Sequence, residues 1–369
     1  MLTYLGCSAV AAFALAIGLA LAGAAPAAAA HAAFALGAMP LIFAAMGHFV
    51  PVLTRSTGAG PAIHRLPLLV QAVGAAVVGV LAGGIPGWVL HPAIVAGLVA
   101  TGVLLGWQWG RGRACLGRPH PGLAWYQAAL GCLTLALLAV LAGLQWPAGY
   151  RALRLAHLHL NTLGFIGLTA LGTLQVLMPT VLVQADPQAA VRLRRQLPWA
   201  LAGVVASALA GLSPWLTPLA VLLVGGVVAD TLAAWVKAHG GRRLLGDGAA
   251  VALLGAAVGL LATLAAGFVH GFGWLPGRPA VTAFFALFLL PLVTGALSQL
   301  LPVWCFPGPA TPARARMRAM LVRFGALRTG LFLVGGGLLA AGQVVGAGLL
   351  AVGLLIFAER LLRAMSAGR

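Results

Sequence analysis

Residues 34–52 read FALGAMPLIFAAMGHFVPV and residues 285–303 read FALFLLPLVTGALSQLLPV. At a constant offset of 251, Phe34 falls on Phe285, Pro40 on Pro291 and Pro51 on Pro302. An offset of 128 reaches a third segment, residues 157–181, and sets His31 on His159 and Pro51 on Pro179. Self-similarity at a fixed spacing marks a repeated structural unit. The three copies divide the chain into units of about 125 residues, near 1–122, 123–247 and 248–369. The repeated element is an apolar helix, and two of its copies begin with histidine.

Composition sets the medium in which such helices fold. The chain is 62% hydrophobic and 7% charged, with mean hydropathy +1.05, whereas soluble domains carry about 25% charged residues. It therefore reads as an all-α integral membrane protein, one polytopic domain over residues 1–369 with the lipid bilayer as its main partner. Asp186, Asp230, Asp247 and Glu359 are the only acids, and the formal charge is +18. With no soluble domain to present it, that excess marks orientation in a membrane rather than nucleic-acid binding. Arginine fills 21 of the 22 basic positions, a bias expected of genomic base composition. Cys7, Cys115, Cys132 and Cys305 form no CxxC pair, so no disulfide framework is expected. Residues 2–25 lack a basic leader and outrun the roughly 7 to 15 apolar residues of a signal-peptide core, so they read as the first spanning helix.

A crossing takes about 20 apolar residues. Segments of that length fall near 3–24, 31–54, 66–86, 88–110, 123–146 and 155–182, then near 197–213, 215–238, 249–270, 280–304, 322–341 and 343–362. Segments after even-numbered helices hold nineteen Lys and Arg, and those after odd-numbered helices hold only Arg151, Arg154 and Arg278. The positive-inside rule then puts both termini in the cytoplasm of a bacterial inner membrane. The repeat copies become helices two, six and ten, which makes twelve helices in three pseudo-repeats of four. Gly102, Gly106 and Gly110 in helix four form overlapping GxxxG patterns, read as a close helix-packing face. Tryptophans at helix ends, Trp88, Trp109, Trp146, Trp215 and Trp274 among them, fit an interfacial belt.

Five of the nine histidines fall at the outer ends of helices: His31, His91, His157, His159 and His270. Ionisable or ligating side chains within membrane segments raise a functional hypothesis by default, and neutral imidazole is the commonest metal ligand. No carboxylate lies near that layer to suggest acid–base chemistry. His157 and His159 point about 200° apart on a regular helix, so they face different neighbours. Asn161 follows His157 at i+4 and can orient its ring, as outer partners of ligating histidines do. His31 and His159, equivalent in the repeat, are the expected pair for one planar cofactor, and His157 with His91 or His270 the expected second metal site. Arg151 and Arg154, out of place in an outer loop, suit the bidentate pairing that haem propionates require; snorkelling at the interface is the plain alternative.

Twelve helices in three groups of four, with histidines in the outer half, resemble the catalytic subunit of the haem-copper oxidases. The segment HLHLNTLGF, His157–Phe165, is similar to the HxHxxxxGF pattern of the NnrS family, haem- and copper-containing membrane proteins linked to nitric oxide stress. In the oxidases an HxH pair ligates two haems from two faces of one helix, and the resemblance implies that role for His159 and His157. It implies haem and copper as cofactors, a small diatomic gas as ligand and a redox partner protein. It does not extend to proton pumping. Helix ten has Thr282 where the repeat has His31, helix seven lacks a histidine pair, and the only tyrosines are Tyr4, Tyr126 and Tyr150. The reading from residues alone is a haem- and copper-binding protein of nitric oxide, oxygen or electron-transfer chemistry. A transporter or channel and a haem-free metal-delivery protein are the alternatives, the first weakened by the scarcity of mid-depth polar residues beyond Gln71, Thr101 and Thr134.

Overall fold

The computed structural model describes residues 1–213, 215–274 and 278–366. Among them the chain is helical from end to end, with no strand. The long helices are α1 (Leu2–Leu21), α2 (Pro26–Thr54), α3 (Pro61–Leu81), α4 (Leu90–Arg113), α5 (Gly122–Gln145), α6 (Pro147–Val181), α7 (Ala189–Ala208), α8 (Leu216–His239), α9 (Gly248–Gly271), α10 (Ala280–Cys305), α11 (Gly325–Ala340) and α12 (Val345–Ser366). Eleven stretches are long and apolar enough to cross a bilayer; α7, which opens on Arg192, Arg194 and Arg195, is not one of them. The protein is thus a multi-pass helical membrane protein, because a spanning segment must satisfy its backbone internally. Proline opens α2, α3 and α6, where its missing N–H removes no helical bond and its φ is already helical.

The residue that precedes α11 was expected to lie inside an unbroken helix, and it does not. A shorter helix, Pro312–Val322, ends at Arg323 (ψ 136°), and Phe324 takes a left-handed conformation (φ 61°) before α11 begins. A bulky residue there is uncommon, since its Cβ crowds the backbone.

The helices gather into two compact units. The first holds Met1–Ala22, Val176–Asp186 and Val228–Arg369, and the second holds Gly23–Gln175 and Pro187–Val227. Within the second unit α2, α5 and the N-terminal part of α6 meet around His31 and His157. The expected GxxxG packing face is corrected: Gly102, Gly106 and Gly110 have no atom within 4 Å of where a Cβ would stand, so that face of α4 packs on no other helix among the described residues.

The three repeat helices share an irregularity that hydropathy does not reveal. Each contains a π-helical stretch: Ala32–Ala38 in α2, Leu160–Gly167 in α6 and Phe284–Leu289 in α10. These stretches coincide under the two sequence offsets. In α2 and α10 the widened turn precedes Pro40 and Pro291, which cannot donate to the ladder. Proline is not the whole cause, because Leu168 stands at the same place in α6. The displaced carbonyls fit against glycine. A Cβ on Gly74 of α3 would lie 2.4 Å from Ala35 O, and one on Gly259 of α9 would lie 1.9 Å from Leu287 O. Glycine at these two positions lets a neighbouring backbone approach where any side chain would collide.

A second shared device lies deeper in α6 and α10. The Arg192 Nε donates to Gln175 Oε1 at 2.7 Å in the second unit, and the Arg318 Nε donates to Gln299 Oε1 at 2.7 Å in the first. Gln175 passes the chain on, its amide donating to Gln196 Oε1 at 2.6 Å, while Arg318 also binds Asp247 at 2.8 Å. Each clamp ties the inner part of a repeat helix to the basic helix that follows it.

Candidate functional site

His31 and His157 meet in the second unit. Their ring centroids are 6.2 Å apart and their planes within 16° of parallel. His31 ends the first α-helical stretch of α2, immediately before its π turn, and His157 stands three residues before the π turn of α6. Both rings are half-buried. Two to three turns along, Phe43 of α2 and Phe165 of α6 meet edge to face at 6.1 Å, both fully buried, so the two helices stay in contact beyond the imidazoles.

Each ring has one nitrogen committed to a backbone carbonyl. His31 Nδ1 lies 2.7 Å from Ala27 O, one turn back on its own helix, and His157 Nδ1 lies 2.9 Å from Ala136 O on α5. A carbonyl oxygen only accepts, so Nδ1 carries the hydrogen in both rings and Nε2 keeps its lone pair. Ligating histidines are fixed in this way, by an outer carbonyl that sets the tautomer. Asn161 donates its amide to His157 O at 2.8 Å and passes the imidazole at 3.3 Å from Nδ1 and 3.5 Å from Nε2. Its expected place beside His157 is borne out, with the firm bond going to the backbone.

Two imidazoles on one metal stand about 6 Å apart between ring centres, from two bonds of roughly 2.0 Å and a nitrogen-to-centre distance of about 1.1 Å on each side. The observed centroid separation, 6.2 Å, is of that length. Among the described residues no group of three or more His, Cys, Asp or Glu side chains could hold an ion. A tetrahedral ion held by protein alone needs three or four such donors, whereas a porphyrin supplies four nitrogens and asks the protein only for axial ligands.

The other expected ligands lie as follows. His159 is half-buried and closes the α-helical stretch of α6 one residue before the π turn. His91 is exposed, and its Nε2 meets the Gln145 amide at 2.9 Å. His270 belongs to the first unit. Arg151 and Arg154 are exposed on α6, Arg154 at i−3 from His157 and so on its face of the helix. The side chain of Arg278 lies outside the described residues. The carbonyls of Ala27 and Ala136 are the parts of the site that sequence reading could not reach, because an alanine carbonyl has no signature. No protein-family model, no curated protein and no solved structure matches the chain.

Proposed function

We propose that this protein binds haem within the membrane, that His31 and His157 would hold it, and that it serves electron transfer. The single observation that carries the reading is the parallel imidazole pair with both Nδ1 atoms held by carbonyls. Bound there, the haem would supply a one-electron couple. The residues of this chain would fix the two Nε2 atoms, keep the rings parallel and surround the centre with apolar side chains. Two imidazoles committed to the haem would favour electron transfer over gas binding, since a diatomic ligand would have to displace one of them. Arg154, a turn from His157, is the candidate partner for a propionate.

The same reading includes twelve crossings in three groups of four, supported by the π turns shared by α2, α6 and α10. It also places the protein in a bacterial inner membrane with both termini cytoplasmic, supported by the nineteen-to-three division of basic residues. A redox partner protein would dock on the face nearest the pair.

The test is the absorption spectrum of the purified full-length protein. The expected result is a Soret band that disappears in His31→Ala and in His157→Ala and persists in His64→Ala. Absence of a Soret band after expression with ample haem would overturn the reading. Carbon monoxide added to the reduced protein is expected to leave the band in place; a large shift would overturn the electron-transfer role in favour of gas chemistry.

A further inference from the structure

The first unit carries a feature unconnected with the histidines. Between α11 and α12 runs a groove of about 370 Å³ lined by Phe324, Leu327, Leu355, Ile356, Glu359 and Arg360. Its floor is apolar, and Leu327 and Leu355 are more than half exposed. Its mouth is basic. The guanidinium carbons of Arg323 and Arg360 lie 5.0 and 5.3 Å from the centre of the Phe324 ring, which brings two cations to one aromatic ring. Glu359 binds Arg360 Nε at 2.6 Å and also Arg363, so one acid answers three arginines.

A fourth cation stands behind them. Arg328 is wholly buried, donates to Leu321 O at 3.1 Å and Ser298 Oγ at 3.1 Å, and lies 4.7 Å from the Phe357 ring. All these partners are neutral, and among the described residues it makes no ion pair. A buried guanidinium bonded only to neutral groups adds to the positive potential around it. The residue that shapes the mouth, Phe324, is also the one in a left-handed conformation. Backbone outliers of this kind persist where the surroundings hold them and point toward function.

We infer that this groove is a binding site for an anionic phospholipid, with the phosphate at Arg323, Arg360 and Arg363 and an acyl chain along Leu327, Leu355 and Ile356. Charge decides the occupant: a neutral protein helix would fill the apolar floor and leave the cations unmatched. Basic pockets between membrane helices bind anionic headgroups in this manner. Of the guanidinium donors, those of Arg323 and Arg360 already rest against Phe324, so less side-chain freedom is lost on binding the lipid phosphate.

The experiment uses the full chain, delipidated in detergent and examined by native mass spectrometry with added phosphatidylglycerol or phosphatidylcholine. Phosphatidylglycerol is expected to stay bound under activation that strips phosphatidylcholine. The double variant R323Q/R363Q, which alters two exposed side chains, is expected to weaken phosphatidylglycerol retention about twenty-five-fold, at roughly fivefold per surface charge. Leu355→Trp, filling the groove without touching a charge, is expected to weaken it as well. Equal retention of both lipids, or undiminished retention in the double variant, would overturn the assignment. So would protection by millimolar inorganic phosphate equal to that by the lipid, because the acyl groove would then contribute nothing.

Discussion

Helices α6 and α10 carry a π turn at corresponding places, Leu160–Gly167 in one and Phe284–Leu289 in the other, and an arginine clamp nearer the C-terminal end, yet only α6 brings imidazoles to its N-terminal half. Where α2 and α6 have His31 and His159, α10 has Thr282. The difference separates architecture from chemistry. The π turn and the clamp belong to how each helix packs, since they occur with and without histidine. The imidazoles are an addition made on that backbone in the second unit alone.

The largest expected effect attacks this separation directly. Loss of either ring of the pair should abolish haem binding, whereas Thr282→Ala should leave the Soret band untouched. Thr282→His should not raise the haem content measured by pyridine haemochrome; a gain would mean that α10 is a second cofactor helix. Next come the glycines that receive the π carbonyls. Gly259→Ala and Gly74→Ala should each lower stability by about 1–3 kcal/mol, as overpacking does, read from unfolding midpoints in mixed micelles. A loss at one glycine and none at the other would show that the two helices do not share this packing.

The clamps should respond unequally. Gln175→Leu removes an acceptor from a guanidinium that is 5% exposed, and about 1–3 kcal/mol should be lost. Gln299→Leu should cost less, because Arg318 is 30% exposed and keeps Asp247. Equal losses would show that the clamps are energetically alike. The smallest effect concerns His120, outside the spanning helices, whose Nδ1 accepts from Gly122 N at 3.1 Å. Burial first, then Arg194, lowers its pKa below the usual 6.5. The neutral ring is therefore the stable one in the folded state, and its contribution is present above about pH 6.5 and lost as pH falls through the lowered value. His120→Asn should flatten that acid-side decline by less than about 1 kcal/mol, with haem absorbance unchanged.

Much of the architecture was readable in the residues. Apolar runs bounded by Pro, Gly and Arg located most of the long helices to within about five positions, whereas α6 begins at Pro147 rather than near 155 and α7 runs over Ala189–Ala208 rather than 197–213. The interruption at Arg323 and Phe324 escaped notice, since neither residue is a helix breaker by type. The π turns escaped too, because one widened turn does not disturb the average hydropathy of a segment. For the site, the sequence reading identified His31 and His157 but assigned them to different partners. Equivalence in a repeat puts His31 and His159 at like places on their own helices. The ring that lies nearly parallel to His31, at 6.2 Å between centroids, is that of His157.

A π turn contains one residue more than the α-helix it replaces, and one residue rotates everything beyond it by about 100°. In α2, α6 and α10 the azimuth of the outer segment is therefore set independently of the inner one. Removing a single amino acid from Leu160–Gly167 would leave a regular rod of nearly the same length with His157 swung away from His31. Homologous chains that had lost the pair could do so by a one-residue gap there, with every histidine still in place.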